Sequence, residues 1–214
     1  GADVDAETEK FGYTALHLAS SCGHPATVRV LVAAGAAVDA ASRDESERTP
    51  LCMAAAGGHA AMVQALLELG ASTDAPVTPK TATTTFRPLH HLWPLHWAAA
   101  MDRPEAAEAL LSAGADPNVQ GSVGRTPLHV AAIEGNGRVA RVLVAARGVR
   151  LEGKDWEGNT ALHQATRDAS KGRRMGALAA LLAAGGGAAR LGPGVDKEAR
   201  DRDGRTPLQL AVRR

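Results

Sequence analysis

Thr126-Pro127-Leu128-His129-Val130-Ala131-Ala132-Ile133-Glu134-Gly135-Asn136-Gly137-Arg138-Val139-Ala140-Arg141-Val142-Leu143-Val144 is the stretch that decides the fold. Thr126 reads as an N-cap, because its hydroxyl can accept from an orphan N–H of the first turn. Pro127 then stands at the first helical position, where its missing N–H costs nothing and its φ is already helical. Leu128, Ala131 and Ala132 follow at helical spacing and form a buried stripe. Gly135 ends this helix, and a second starts near Arg138 with Val139, Val142 and Leu143 as its apolar face. Two helices of about two turns each are too short to stand alone, so they must stack.

Working outward, the opening tetrapeptide recurs at Thr14-Ala15-Leu16-His17, Thr49-Pro50-Leu51-Cys52, Trp93-Pro94-Leu95-His96, Thr160-Ala161-Leu162-His163 and Thr206-Pro207-Leu208-Gln209. With Thr126 included, first positions 14, 49, 93, 126, 160 and 206 are 35, 44, 33, 34 and 46 apart. Self-similarity near this period means one supersecondary unit stacked on copies of itself. The other copies obey the same grammar. Pro25 and Pro104 open second helices, which end in Leu31-Val32, Leu66-Leu67, Leu110-Leu111 and Leu181-Leu182 before Gly35, Gly70, Gly114 and Gly185. Turns with Gly12, Gly124, Gly158 and Gly204 precede the next threonine.

These units resemble the ankyrin repeat family, whose signature contains T-P-L-H-x-A. The resemblance covers the chain apart from two insertions and implies an all-α solenoid of helix-turn-helix pairs joined by β-turn or hairpin loops. It divides 1–214, a single repeat domain, into a truncated tail at 1–9, repeats at 10–44 and 45–80, and the rest of a Pro/Thr-rich insertion at 81–88. Repeats at 89–120 and 121–154, one with a lengthened turn at 155–187, a Gly-rich insertion at 188–200 and a truncated repeat at 201–214 complete it. Both ends read as cut mid-repeat, since Gly1-Ala2-Asp3-Val4-Asp5 matches Gly35-Ala36-Ala37-Val38-Asp39; a fragment of a longer protein is expected.

Composition bounds the chemistry. Aromatics are 3% of 214 residues, so the core must be built from Ala, Leu and Val, which argues against an aromatic-lined ligand cavity. Residues 1–107 carry 7 Lys/Arg against 12 Asp/Glu, and residues 108–214 carry 17 against 11, giving −5 and +6. Such asymmetry reads as two differently charged solvated surfaces, or as a mark of an acidic partner. Two cysteines, Cys22 and Cys52, make no disulfide framework and read as buried reduced thiols, consistent with an intracellular (cytoplasmic or nuclear) protein. No signal-peptide-like or bilayer-spanning apolar run occurs.

Eight histidines raise the question of a metal. The resemblance instead gives His17, His96, His129 and His163 a structural part, ordering the turns through hydrogen bonds to backbone. His24 and His59 fall in the turns between helices, and His90 and His91 in the insertion lack further ligands at metal spacing. Gly135-Asn136-Gly137-Arg138-Val139-Ala140 fits G-x-G-x-x-A, but a helix precedes it where a dinucleotide site needs a strand. With no phosphate loop, zinc-protease or serine-hydrolase motif, no catalytic, metal or cofactor residues are assigned: no enzyme and no cofactor is expected.

The family resemblance places a concave binding surface on the loop tips and the ends of the first helices. The tips here are Lys10, Phe11, Tyr13, Arg48, Ser122, Val123, Arg125, Trp156, Glu157 and Asn159; the helix positions are Ser21, Met101, Ile133, Glu134, Arg167 and Asp168. Phe11, Tyr13 and Trp156 stand out as solvated aromatics, a type favoured as interface anchors, although they could instead cover a neighbouring tip. Trp93 and Trp97 are expected to pack against the insertion. Two modification sites are candidates: Asn118, in a context resembling that of hydroxylated asparagines in ankyrin repeats, and Thr78 before Pro79. The expected function is a non-catalytic, monomeric protein-binding scaffold or adaptor with one or more protein partners, no membrane and no nucleic acid. Two alternatives stand beside it: the regulatory or substrate-recruiting region of a larger enzyme, and nucleic-acid binding by the basic second half.

Overall fold

The computed structural model describes residues 3–44, 46–74, 92–167, 175–184 and 195–212; these form eleven α-helices, with no strand among the described residues. They are α1 (Ala15–Cys22), α2 (Pro25–Ala33), α3 (Pro50–Gly57), α4 (Ala60–Glu68), α5 (Pro94–Ala100), α6 (Pro104–Ser112), α7 (Pro127–Glu134), α8 (Gly137–Ala145), α9 (Ala161–Thr166), α10 (Met175–Ala184) and α11 (Pro207–Val212). The expected punctuation is present. Thr14, Thr49, Thr126 and Thr160 sit in extended conformation before their helices, and the Thr49 hydroxyl accepts from the Cys52 N–H at 3.3 Å. Pro25 and Pro104 open second helices as read. The architecture is all-α among the described residues, short helices packed in pairs as the resemblance implies.

The chain divides into two compact units, Gly1–Ala98 with Glu105–Ala115, and Ala99–Pro104 with Asp116–Arg214. In the first, α1 packs on α2 and α3, α3 on α4, and α2 on α4. In the second, α7 packs on α8 and α9, α9 on α10 and α11, and α8 on α10. The second residue after each of the first five capping positions is a leucine buried to the core: Leu16, Leu51, Leu95, Leu128 and Leu162. Burying each is worth about 2 kcal/mol. Second helices return Val28, Leu66, Leu110, Leu143 and Leu181, and the space between is filled by alanines such as Ala54, Ala98 and Ala131. Small side chains let the short helices approach closely. The extreme case is α8 against α10, where a Cβ on Gly137 would lie 2.7 Å from the Gly176 Cα, so glycine is required for the two backbones to meet.

One sequence expectation is corrected here. Cys22 is exposed, because it falls on the last turn of α1, beyond the buried stripe of Leu16, Ala19 and Ser20; only Cys52 is a buried thiol. Most of the two insertions, His90, His91, Phe86, Thr78, Asp168 and the lengthened turn at 169–174 lie outside the described residues.

Candidate functional site

Among the described residues, tips are closed by a backbone bond across the base, and three pairs of successive tips are joined by another. Thr8 N–H donates to Tyr13 O at 2.9 Å, Gly121 N–H to Arg125 O at 2.8 Å and Asp155 N–H to Asn159 O at 2.9 Å. Between tips, Arg43 N–H donates to Phe11 O at 2.9 Å, Trp156 N–H to Val123 O at 3.0 Å and Arg202 N–H to Glu157 O at 3.2 Å. The residue making each inter-tip bond also lies over the preceding tip's glycine. A Cβ on Gly12 would fall 2.6 Å from the Arg43 Cβ, and one on Gly124 would fall 2.7 Å from the Trp156 Nε1. Gly124 has φ +72, and beside it Val123 is held at φ 55, a region a β-branched residue enters only where its surroundings impose it.

In the first unit the aromatics converge. The Phe11 and Tyr13 rings stack with centroids 5.3 Å apart, and the Lys10 ammonium lies 4.9 Å from the Phe11 centroid. The Arg48 guanidinium is held between Tyr13 and Trp97, 5.6 and 5.4 Å from their centroids. Its charge is answered by Asp44 at 2.7 Å, and Tyr13 donates its hydroxyl to the same carboxylate at 2.8 Å. Burial alone would push the Asp44 carboxyl up, but hydrogen bonds from Arg48, Tyr13 and Ser42 outweigh it and hold the group below the ordinary aspartate range. The result is a ladder of cation, ring, ring, cation and ring drawn from residues 10 to 97, and cation–π contacts of this kind contribute about 0.5–1 kcal/mol each when exposed.

The structure distributes the remaining candidates unevenly. Phe11 is 40% exposed and Trp156 58%, so both are accessible although each packs on a neighbour. Lys10, Ser21, Met101, Glu134, Glu157 and Arg167 are exposed; Tyr13, Arg48, Ser122, Val123, Arg125 and Ile133 are half-buried. Asn159 is corrected: it is 3% exposed, and its backbone N–H and side-chain amide both donate to Asp155 Oδ1, at 2.8 and 3.2 Å. The polar tip position next to threonine turns inward to satisfy a buried carboxylate. Trp97 packs beneath Arg48. The Asn118 amide donates to Gly148 O at 2.9 Å and accepts from Arg150 N–H at 2.6 Å, so this side chain bridges two successive turns. Asp44 and Arg43 were missed, since nothing local in sequence marks them, and Trp97 is read from sequence only as packing against the insertion. Asp155 had a signal, since Asp201 stands at the same five-residue offset before its threonine.

Behind the tips run the histidine joints. His17 Nε2 lies 2.9 Å from Arg48 O, His129 Nε2 2.9 Å from Asn159 O, and His163 Nε2 3.1 Å from Arg205 O. A carbonyl only accepts, so Nε2 carries the proton and Nδ1 is left to accept from the cap N–H of Thr14, Thr126 and Thr160 at 3.1, 3.3 and 3.2 Å. Burial pushes the His17 and His129 imidazoles below their usual range, against the pull of those carbonyls. In the second copy the Cys52 thiol takes the same place and reaches Leu92 O at 3.8 Å. Among the described residues no three His, Cys, Asp or Glu side chains gather as a metal site, and no helix is long and apolar enough to cross a membrane.

A family model described as ankyrin repeats (3 copies) matches residues 1–76 and 95–185. Inversin from Gallus gallus is 48% identical over 77 residues, 36% of this chain and 7% of that protein. Rabankyrin-5 from Homo sapiens is 55% identical over 58 residues, covering 27% and 5%. NF-kappa-B inhibitor alpha from Sus scrofa is 41% identical over 78 residues, covering 34% and 25%. The matched stretch is thus a quarter or less of each relative's length.

Proposed function

Since the chain belongs to the ankyrin-repeat family, whose repeats are generally non-catalytic protein–protein interaction modules, we propose that it binds a protein partner through exposed side chains on its tips and first helices. The observation that carries this reading is the pair of accessible aromatics, Phe11 and Trp156, each mounted on a tip held by backbone bonds to its neighbour. A side chain presented on fixed backbone loses little entropy on association, and aromatic and arginine anchors are the types that dominate interface energies. The name of one relative, NF-kappa-B inhibitor alpha, describes action upon another protein, which supports the same reading. A recruiting or regulatory role within a larger protein is a second reading. It is favoured by the small share of each relative that the matched stretch covers.

The test is a paired affinity capture from source-cell lysate, with the wild-type chain and a Phe11→Ser, Trp156→Ser variant as baits of equal helicity and equal urea midpoint. Proteins retained by wild type and lost on the variant support the tip reading. Equal retention on both baits moves the site to the first helices, and retention on neither overturns binding by these residues.

A further inference from the structure

Among the described residues the joint positions carry three chemical kinds of side chain. At three of them an imidazole accepts a threonine N–H on Nδ1 and donates Nε2–H to a carbonyl of the following repeat. At the joint made by Cys52 a thiol reaches the corresponding carbonyl, and at the last copy Gln209 Oε1 accepts the Thr206 N–H at 2.8 Å. Thiol and amide do not gain a proton in mild acid; imidazole does.

We propose that mild acid loosens the protein at the joints of His17 and His129 and leaves the Cys52 joint closed, so that the repeats carry a built-in pH-sensitive coupling. A proton taken from solvent binds Nδ1, the one bare ring nitrogen. The cap N–H of Thr14 or Thr126 then faces an N–H and loses its acceptor, while the threonine hydroxyl, 2.9 and 2.8 Å from Nδ1, must turn to accept the new proton, and a charge appears in a site buried from water; His17 is 0% exposed and His129 1%. The surrounding charges temper this without reversing it. His17 feels Glu7 and Asp44 in favour of charging, with the Tyr13 ring 5.8 Å away and Arg48 supplying the carbonyl. His129 feels Asp155 in favour and Arg125 against. For His17 and His129 burial is the larger effect, so the folded state binds fewer protons than the unfolded one. Their stabilisation is complete above about pH 6.5 and is lost as pH falls below it.

The experiment measures amide exchange protection, corrected for intrinsic rate, at Thr14 and Thr126 from about pH 7.5 to about pH 5, in the whole chain. Protection at both should fall, approaching tenfold per pH unit below about pH 6.5. His129→Gln copies the acceptor found at Gln209 and should flatten the Thr126 profile while the Thr14 profile stays steep. Cys52→His should introduce acid sensitivity at Thr49 that wild type lacks. A flat Thr14 and Thr126 profile in wild type overturns the proposal, as does a Thr126 profile still steep in His129→Gln. Should His129→Gln fail to fold, ring NMR of wild type decides: His17 and His129 rings that titrate at about pH 6.5, the ordinary histidine value, contradict it.

Discussion

At the first tip Phe11 and Tyr13 are locked into a ladder with Lys10, Arg48 and Trp97, whereas at the tip carrying Trp156 a single indole lies over Gly124 and is otherwise open. Both tips use the same inter-tip backbone bond, 2.9 Å from Arg43 N–H to Phe11 O and 3.0 Å from Trp156 N–H to Val123 O. The difference separates two tasks. Backbone bonds, glycines and joint histidines hold repeats in register, and side chains outside that lattice are free to differ from copy to copy.

The largest test of that separation is Gly124→Val. It meets both the Trp156 ring and a φ of +72, and should cost roughly 3 kcal/mol or more in urea unfolding. Gly204→Ala has the same φ problem at +75 but no atom within 4 Å of the new Cβ, so it should cost only about 1 kcal/mol. Equal losses at the two sites would mean that the inter-tip contact contributes nothing. Next in size, His129→Ala leaves the Thr126 N–H and the Asn159 carbonyl without partners and should cost about 2–3 kcal/mol. Cys52→Ala, losing only a long thiol contact, should cost about 1 kcal/mol.

The ladder comes third. Arg48→Ala removes two cation–π contacts and the partner of Asp44 and should lower stability by about 1–2 kcal/mol, while Trp156→Ala, with most of its ring already in water, should lower it by under about 1 kcal/mol. At the sixth tip, burial would raise the Asp201 carboxyl, but the Arg205 N–H and guanidinium and the Asp203 N–H hold it below its ordinary value. Its folded value being the lower, its stabilisation is present above about pH 4 and is lost on further acidification, so Asp201→Asn should flatten that acid limb of the stability profile. The smallest effect is Arg29→Ala, which breaks an exposed pair with Glu68 and should change stability by less than about 0.5 kcal/mol.

Much of this protein was determined along the chain. Threonine, proline and leucine at successive positions, then glycine, specify cap, first turn, core contact and stop, all interactions within a few residues of one another. Six copies of that grammar leave stacking as the only way to bury the apolar faces. Even the Trp156 tip was legible as a position, because its offset from Thr160 is local. What only the tertiary structure decided was which side chains from different copies meet. Residues 10, 48 and 97 come together through the stacking of successive copies, and Cys52 inherits a histidine's carbonyl. Such contacts depend on the lateral placement of one repeat against the next, a distance in space that no spacing along the sequence encodes.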